Sequence, residues 1–155
     1  MRLSANFGLS ELCRSDTAER IGVINQVTDP VHLSALRELC LAVLQPLRDL
    51  WGSPVRVTSG YRRPALNEAL GGSRTSQHLS GEAADITVGT RSDNLRLMRM
   101  IIDAGLPYDQ LIDEFEGQWL HVSHCLEGEQ RGQILEARRD RAGRTYYTDV
   151  TKQYR

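Results

Sequence analysis

The sequence predicts an α+β domain in which helices surround a small, mostly antiparallel sheet. Three observations carry that expectation: two long stretches with apolar residues at mixed three- and four-residue spacing, several short β-prone runs bounded by Gly, Pro and Ser, and no internal repeat. At 155 residues, 40% hydrophobic and 25% charged, the chain can support one core. A single domain over residues 1–155 is expected, with a polar, arginine-rich extension from about residue 128.

Near the start, the Ser10 hydroxyl can accept from an orphan backbone N–H and so cap a short helix from Glu11 toward Arg14. From Val31 to Leu50, the residues Leu33, Leu36, Leu39, Val43, Leu44, Leu47 and Leu50 form one apolar stripe, with Asp29 as cap and Pro30 in the first turn. Pro46 should kink or restart that helix, because it has no N–H to give the ladder. His32 lies in the first turn beside a carboxylate already accounted for as the cap, so it is not read as a ligand.

Val55 to Ser59 alternates and is β-branched, which predicts a strand. Ala65 to Leu70 follows as a short helix, Ala83 to Val88 as a second strand, and Ser92 to Ala104 as a long helix. Ser92 is its expected cap; Leu95, Met98, Ile101 and Ile102 should face inward, and Gly105 should close it. Gln110–Phe115 and Trp119–Ser123 predict an antiparallel pair joined around Glu116-Gly117-Gln118. In the tail, Thr145 to Thr148 predicts an edge strand, and Arg138, Arg139, Arg141 and Arg144 a solvated charged face.

Composition excludes several functions. A formal net charge of -1, with no basic run interleaved with aromatics, argues against nucleic acid as a partner. No segment reaches transmembrane length and the N-terminus lacks the apolar run of a signal peptide, so membrane insertion is not expected and synthesis in the cytoplasm is. Cys13, Cys40 and Cys125 are odd in number and widely spaced, which fits reduced thiols. A monomer is expected.

The chemistry concentrates in Ser76-Gln77-His78-Leu79-Ser80-Gly81-Glu82-Ala83-Ala84-Asp85-Ile86 and Trp119-Leu120-His121-Val122-Ser123-His124. These segments offer imidazoles and a carboxylate, all suited to zinc, and three protein ligands would leave one tetrahedral position for water. Alternate residues of a strand share a face, so His121 and His124 point opposite ways and His121 is the better ligand. Asp85, between Ala84 and Ile86, would be costly to bury unpaired. Either a metal or a salt bridge to Arg62 or Arg63 would satisfy it.

These residues resemble the zinc D-alanyl-D-alanine carboxypeptidase-like peptidases. That group includes phage L-alanyl-D-glutamate endopeptidases and shares its fold with the hedgehog signalling domain. The resemblance runs through Phe7-Gly8-Leu9-Ser10-Glu11-Leu12, Ser15-Asp16-Thr17-Ala18, Ser59-Gly60-Tyr61-Arg62 with Pro64 and Asn67, Ser76-x-His78-x-x-Gly81-x-Ala83-x-Asp85, Gln110-Leu111-Ile112 and Trp119-Leu120-His121-Val122-Ser123. It implies a hedgehog/DD-peptidase-like fold and Zn2+ on His78, Asp85 and His121. The position three before His121, a carboxylate in some relatives, is Gln118 here. A Gln-Leu-Ile-x-Glu pattern points to Glu114 as the base, with Glu116 as the alternative. Glu114 would lie across from His121 if the loop takes in Trp119, whereas a tighter loop places Asp113 there. Arg62 is implied as the group that grips a substrate carboxylate, with Arg63 a weaker candidate, and Ser59, Tyr61 and Ser76 as cleft or orienting residues.

The function that follows is hydrolysis of a peptide bond in the peptidoglycan stem peptide, of the D-Ala-D-Ala carboxypeptidase or L-alanyl-D-glutamate endopeptidase type. Without a signal peptide, a phage lysis enzyme or virion-associated protein, delivered to the wall after synthesis, is the expected setting. The alternatives are a non-catalytic peptidoglycan-binding or virion structural module that keeps a zinc fold for stability, and a zinc amidase cutting another wall bond.

Overall fold

The computed structural model covers residues 1–155. Two short helices, α1 (Leu9–Cys13) and α2 (Asp16–Ile21), precede a long helical rod. Ser10 lies inside α1, and the residue that starts it, Gly8, offers no side-chain cap, so the expected cap is misplaced. The rod is built of α3 (Pro30–Leu39), a π-helical turn (Cys40–Leu44) and α4 (Gln45–Trp51). The Asp29 side chain accepts from Val31 N at 2.8 Å, capping α3 as its position predicts. Pro46 is absorbed by the widened turn: Gln45 N–H donates to Cys40 O, five residues back, and a new helical segment begins with Pro46 in its first turn.

Three strands and two helices fill the middle of the chain: β1 (Arg56–Ser59), α5 (Pro64–Ala69), β2 (Ala83–Thr87), α6 (Arg91–Asp103) and β3 (Gln110–Glu114). Thr90, not Ser92, caps α6, its hydroxyl accepting from Asp93 N at 3.1 Å. The start shifts the inward face to Asn94, Leu97, Met98 and Ile101, and Leu95 rotates into solvent. Asn94 is buried because its amide ties together three segments: Nδ2 donates to Thr87 Oγ1 and Gly117 O, and Oδ1 accepts from Val88 N. No helix is long and apolar enough to cross a membrane.

β4 (Trp119–Ser123), β5 (Gln133–Arg139) and β6 (Thr145–Asp149) complete a six-stranded sheet of order β1-β2-β4-β3-β5-β6. Every pairing is antiparallel except β3 with β5. The sheet is therefore mixed, though mostly antiparallel. One face packs against the rod and α6, burying Leu36, Leu39, Leu44, Leu47, Leu97 and Ile101 with Ala84, Ile86, Leu111, Leu120, Val122 and Ile134. Removing this much apolar surface from water is what offsets the chain's ordering entropy. The other face carries the polar residues considered below.

The turn joining β3 to β4 has three successive left-handed residues, Phe115 (φ 53°), Glu116 (φ 58°) and Gly117 (φ 80°). Only the last is free of a Cβ penalty. Asp113 Oδ1 accepts from Gly117 N at 2.7 Å, Asn94 holds Gly117 O, and Arg139 stacks 4.7 Å from the Phe115 ring.

The extension from about residue 128 is more than an edge. Only its outer strand, β6, is anticipated from the sequence; β5 is not. Ile134 and Leu135 are adjacent apolar residues rather than alternating ones: Ile134 is buried in the core, while Leu135, on the other face, lines the cleft.

Candidate metal centre

Backbone geometry brings the site together from three places. A β-bulge leaves Thr58 unpaired between Val57, opposite Ile86, and Ser59, opposite Asp85. Val57 stays in the core while Ser59 and the chain after it turn toward the polar face. Gly60 follows, and a Cβ there would lie 2.3 Å from Leu12 O, so only glycine lets this segment meet α1. Its carbonyl lies 2.7 Å from His78 Nδ1. A carbonyl can only accept, so Nδ1 carries the proton and Nε2 presents its lone pair to the site.

His78 sits on a single 3-10 turn, Gln77–Ser80, whose N–H at His78 is capped by Ser76 Oγ at 3.3 Å. Gly81 ends that turn at φ 77°, where a Cβ would meet His32 O at 2.5 Å. The chain then enters β2 directly. In register, Asp85 faces His121 of β4, and His121 faces Ile112 of β3.

His78, Asp85 and His121 are all buried, and their ligand atoms lie within 4.8 Å of one another. Asp85 Oδ1 is 3.4 Å from His78 Nε2 and 3.1 Å from His121 Nδ1. Metal–ligand bonds near 2.0–2.1 Å at tetrahedral angles put neighbouring ligand atoms about 3.3 Å apart, so this nitrogen and oxygen set fits a small divalent ion such as zinc. Asp85 Oδ2 accepts from Arg62 Nη2 at 3.0 Å, and Arg62 Nε donates to Ser59 Oγ at 2.9 Å. Metal set and salt bridge are thus not alternatives: the two oxygens serve one each. Burial alone would raise the Asp85 carboxyl, but with no ion bound and their inward nitrogens protonated the two imidazoles outweigh it and hold the group well below the usual carboxylate range.

Glu114 shares the polar face of β3 with Ile112 and pairs with Trp119, so it is the diagonal neighbour of His121 rather than the residue opposite. The expectation of Glu114 or Asp113 directly across from His121 is corrected in register, by two residues for Glu114 and one for Asp113: Ile112 holds that place. Glu114 still lines the same cleft as the three candidate ligands and Arg62. Burial first, and the Asp85 charge second, push its carboxyl up to about 7. Asp113 points to the other face, where Arg138 Nη2 donates to its Oδ2 at 2.9 Å.

Three further candidates lie outside the cleft. Glu116 sits on the exposed turn, its side chain 73% accessible and 4.0 Å from Arg91. Arg63 is exposed and reaches Ile24 O at 3.5 Å. Tyr61 is buried against His32, with ring centroids 5.8 Å apart. Ser76 lines the cleft; Ser59 does not, and its hydroxyl accepts from Arg62 Nε. His124 bonds Pro107 O at 2.6 Å, away from the three ligands.

The cleft measures about 540 Å³ and takes part of its wall from the tail: Arg131, Leu135, Thr145 and Tyr147. The sequence places none of these at the site, and Thr145 and Tyr147 only on an edge strand, because nothing local signals that a strand pairs with β3 from a distance. The tail is latched by Asp109, which is fully buried and accepts from Arg131 N, Nε and Nη2 and from Gln77 Nε2. Burial would raise the Asp109 carboxyl, but the bonds from Arg131 and Gln77 hold it well below the usual carboxylate range. Its contribution is therefore complete above the unfolded carboxylate pKa and is lost as pH falls through its lower folded value. Asp109→Ala should cost roughly 1–3 kcal/mol in urea unfolding at pH 7, since it leaves these donors unpaired. An unchanged midpoint would show that the latch contributes nothing.

The family model for Peptidase M15 matches residues 5–123, which spans α1 to the end of β4. The chain belongs to the peptidase M15 family. All three candidate ligands, Arg62 and Glu114 lie within the matched segment of this M15 chain, and β5 and β6 lie beyond it. A search of curated proteins returns no significant match.

Proposed function

We propose that this chain is a zinc peptidase that hydrolyses peptide bonds in bacterial cell-wall peptidoglycan. The observation that carries the reading is the convergence of His78, Asp85 and His121, with Asp85 Oδ1 3.4 Å from His78 Nε2 and 3.1 Å from His121 Nδ1, and with Glu114 on the same face of the sheet. A divalent ion held there supplies Lewis acidity, polarising a carbonyl and acidifying water. Glu114 takes the proton of the attacking water on its carboxylate and delivers it to the leaving amine. Arg62 orients Asp85 and, lining the cleft, offers its guanidinium to a substrate carboxylate. His78 is locked in one tautomer by Gly60 O.

The substrate class, of D-Ala-D-Ala carboxypeptidase or L-alanyl-D-glutamate endopeptidase type, and a phage-encoded lysis role follow from the family resemblance. The kinship with the hedgehog signalling domain belongs to the same proposal, supported by the mostly antiparallel sheet. Mass spectrometry of defined muropeptides incubated with zinc-loaded protein tests the reading. Products that sum to substrate plus one water, with the break at a stem-peptide amide, are expected. Intact muropeptides beside a metal-loaded protein would favour a binding module, and release of the whole stem peptide from the sugar would favour an amidase.

A further inference from the structure

The cleft has unlike ends, and its second end is built by the tail. On the polar face of the sheet, one row of paired residues holds Asp85, His121, Ile112 and Leu135. The next row along the strands holds Trp119, Glu114, Ala137 and Tyr147. The opposite end is polar, with Thr75, Ser76, Gln77, Gln110 and Arg131. Tyr147 therefore stands level with Glu114, one strand beyond Ala137, at a Cα separation of about 10 Å given two strand spacings. Ala137, between them, is fully buried and does not line the cleft, so this end is walled by Glu114 and Tyr147 with Phe115 and Trp119. Tyr147 is 56% exposed, lines the cleft, and lies in the same patch as Trp119 and Phe115, whose rings meet at 5.4 Å.

We infer that Tyr147 is a substrate-positioning residue: its ring packs on, and its hydroxyl hydrogen-bonds, the peptide backbone of the substrate on the Glu114 side of the metal ligands. This rests on the peptidase reading. Burial first, and then the charges of Glu114 and Asp85, push the phenol up, so it stays protonated and able to donate to a substrate carbonyl. The residue lies outside the family match, so the tail supplies a selecting wall to a shared catalytic face.

The test compares Tyr147→Ala and Tyr147→Phe with Tyr146→Ala, which alters the same edge strand on its other face. With a purified disaccharide-tetrapeptide, Tyr147→Ala should raise KM roughly tenfold with kcat changed less than about threefold, Tyr147→Phe should recover most of that, and Tyr146→Ala should match wild type. Metal content should be the same in all four proteins. Equal KM for Tyr147→Ala and wild type would overturn the inference, as would an equal loss in Tyr146→Ala, which would mean that the edge strand unravels. Calorimetric titration of the same muropeptide into Glu114→Gln, with and without Tyr147→Ala, separates this inference from the peptidase reading. If wild type cleaves nothing, the peptidase reading fails, yet tenfold weaker binding in the double variant still supports Tyr147. Equal binding, or none in either protein, overturns it.

Discussion

Glu114→Gln should lower kcat by roughly 10²–10⁴-fold, the usual contribution of a positioned general base, and leave the metal content unchanged. The amide keeps the size of the side chain but cannot accept the proton. In wild type the base works only when ionised, so activity in the zinc-loaded protein should fall on the acid side of its pKa, which stands at about 7 before any ion is bound. A bound cation would draw that limb to lower pH. Stability should move the other way. A carboxyl whose folded pKa lies above its ordinary 4.5 is bound more tightly to its proton in the native state, so folding loses free energy as pH rises from about 4.5 to about 7. Metal-free Glu114→Gln should therefore be more stable than metal-free wild type at pH 8, by up to about 3 kcal/mol, and equal to it near pH 4. Glu116→Gln, on the exposed turn, should change neither quantity. Full activity in Glu114→Gln would remove Glu114 from the mechanism.

Asp85→Ala should eliminate both bound metal and hydrolysis, because it removes the oxygen between the two imidazoles. It also strips the only carboxylate from Arg62, whose side chain is 13% accessible. Breaking a buried pair in this way costs about 3–5 kcal/mol, so the variant should unfold at markedly lower urea even without metal. Asp85→Asn separates the two effects, since its amide oxygen can still accept from Arg62 while the site loses its negative charge. Chelation of wild type should abolish activity, and added zinc should restore it. Elemental analysis and turnover measured on one sample decide the matter: a metal-free yet fully active protein would end the case for this centre.

How much of this was legible beforehand depends on how local the determinants are. Asp29 and Pro30 mark a helix start within two residues of chain, and period-2 alternation sets His121 apart from His124. Both follow from backbone geometry alone. The partners of Asp85 are legible as types, and only the fold shows that one carboxylate serves Arg62 and the histidines at once. Register is harder. The four-residue turn at Phe115–Gln118 needs two non-glycine residues at positive φ, which no sequence rule favours, and so Ile112 rather than Glu114 meets His121. The cap of α6 was misread because Thr90 and Ser92 are both good caps and the choice falls to Asn94, which must face inward to join three segments. The tail's strand β5 was missed since its pairing with β3 lies more than twenty residues away.

The left-handed turn that carries Phe115 and Glu116 has a consequence for Glu114 just before it. Non-glycine residues in that conformation cost of order 1–3 kcal/mol each, and here the turn is pinned on either side of Glu116: Arg91 and Arg139 hold Phe115, and Asp113 holds Gly117. The carboxylate is thus mounted at the foot of a compressed spring, with little slack to swing away from its neighbours on the sheet. Its aim is set twice over, by the burial of Glu114 within β3 and by the bonds that pin the hairpin beside it.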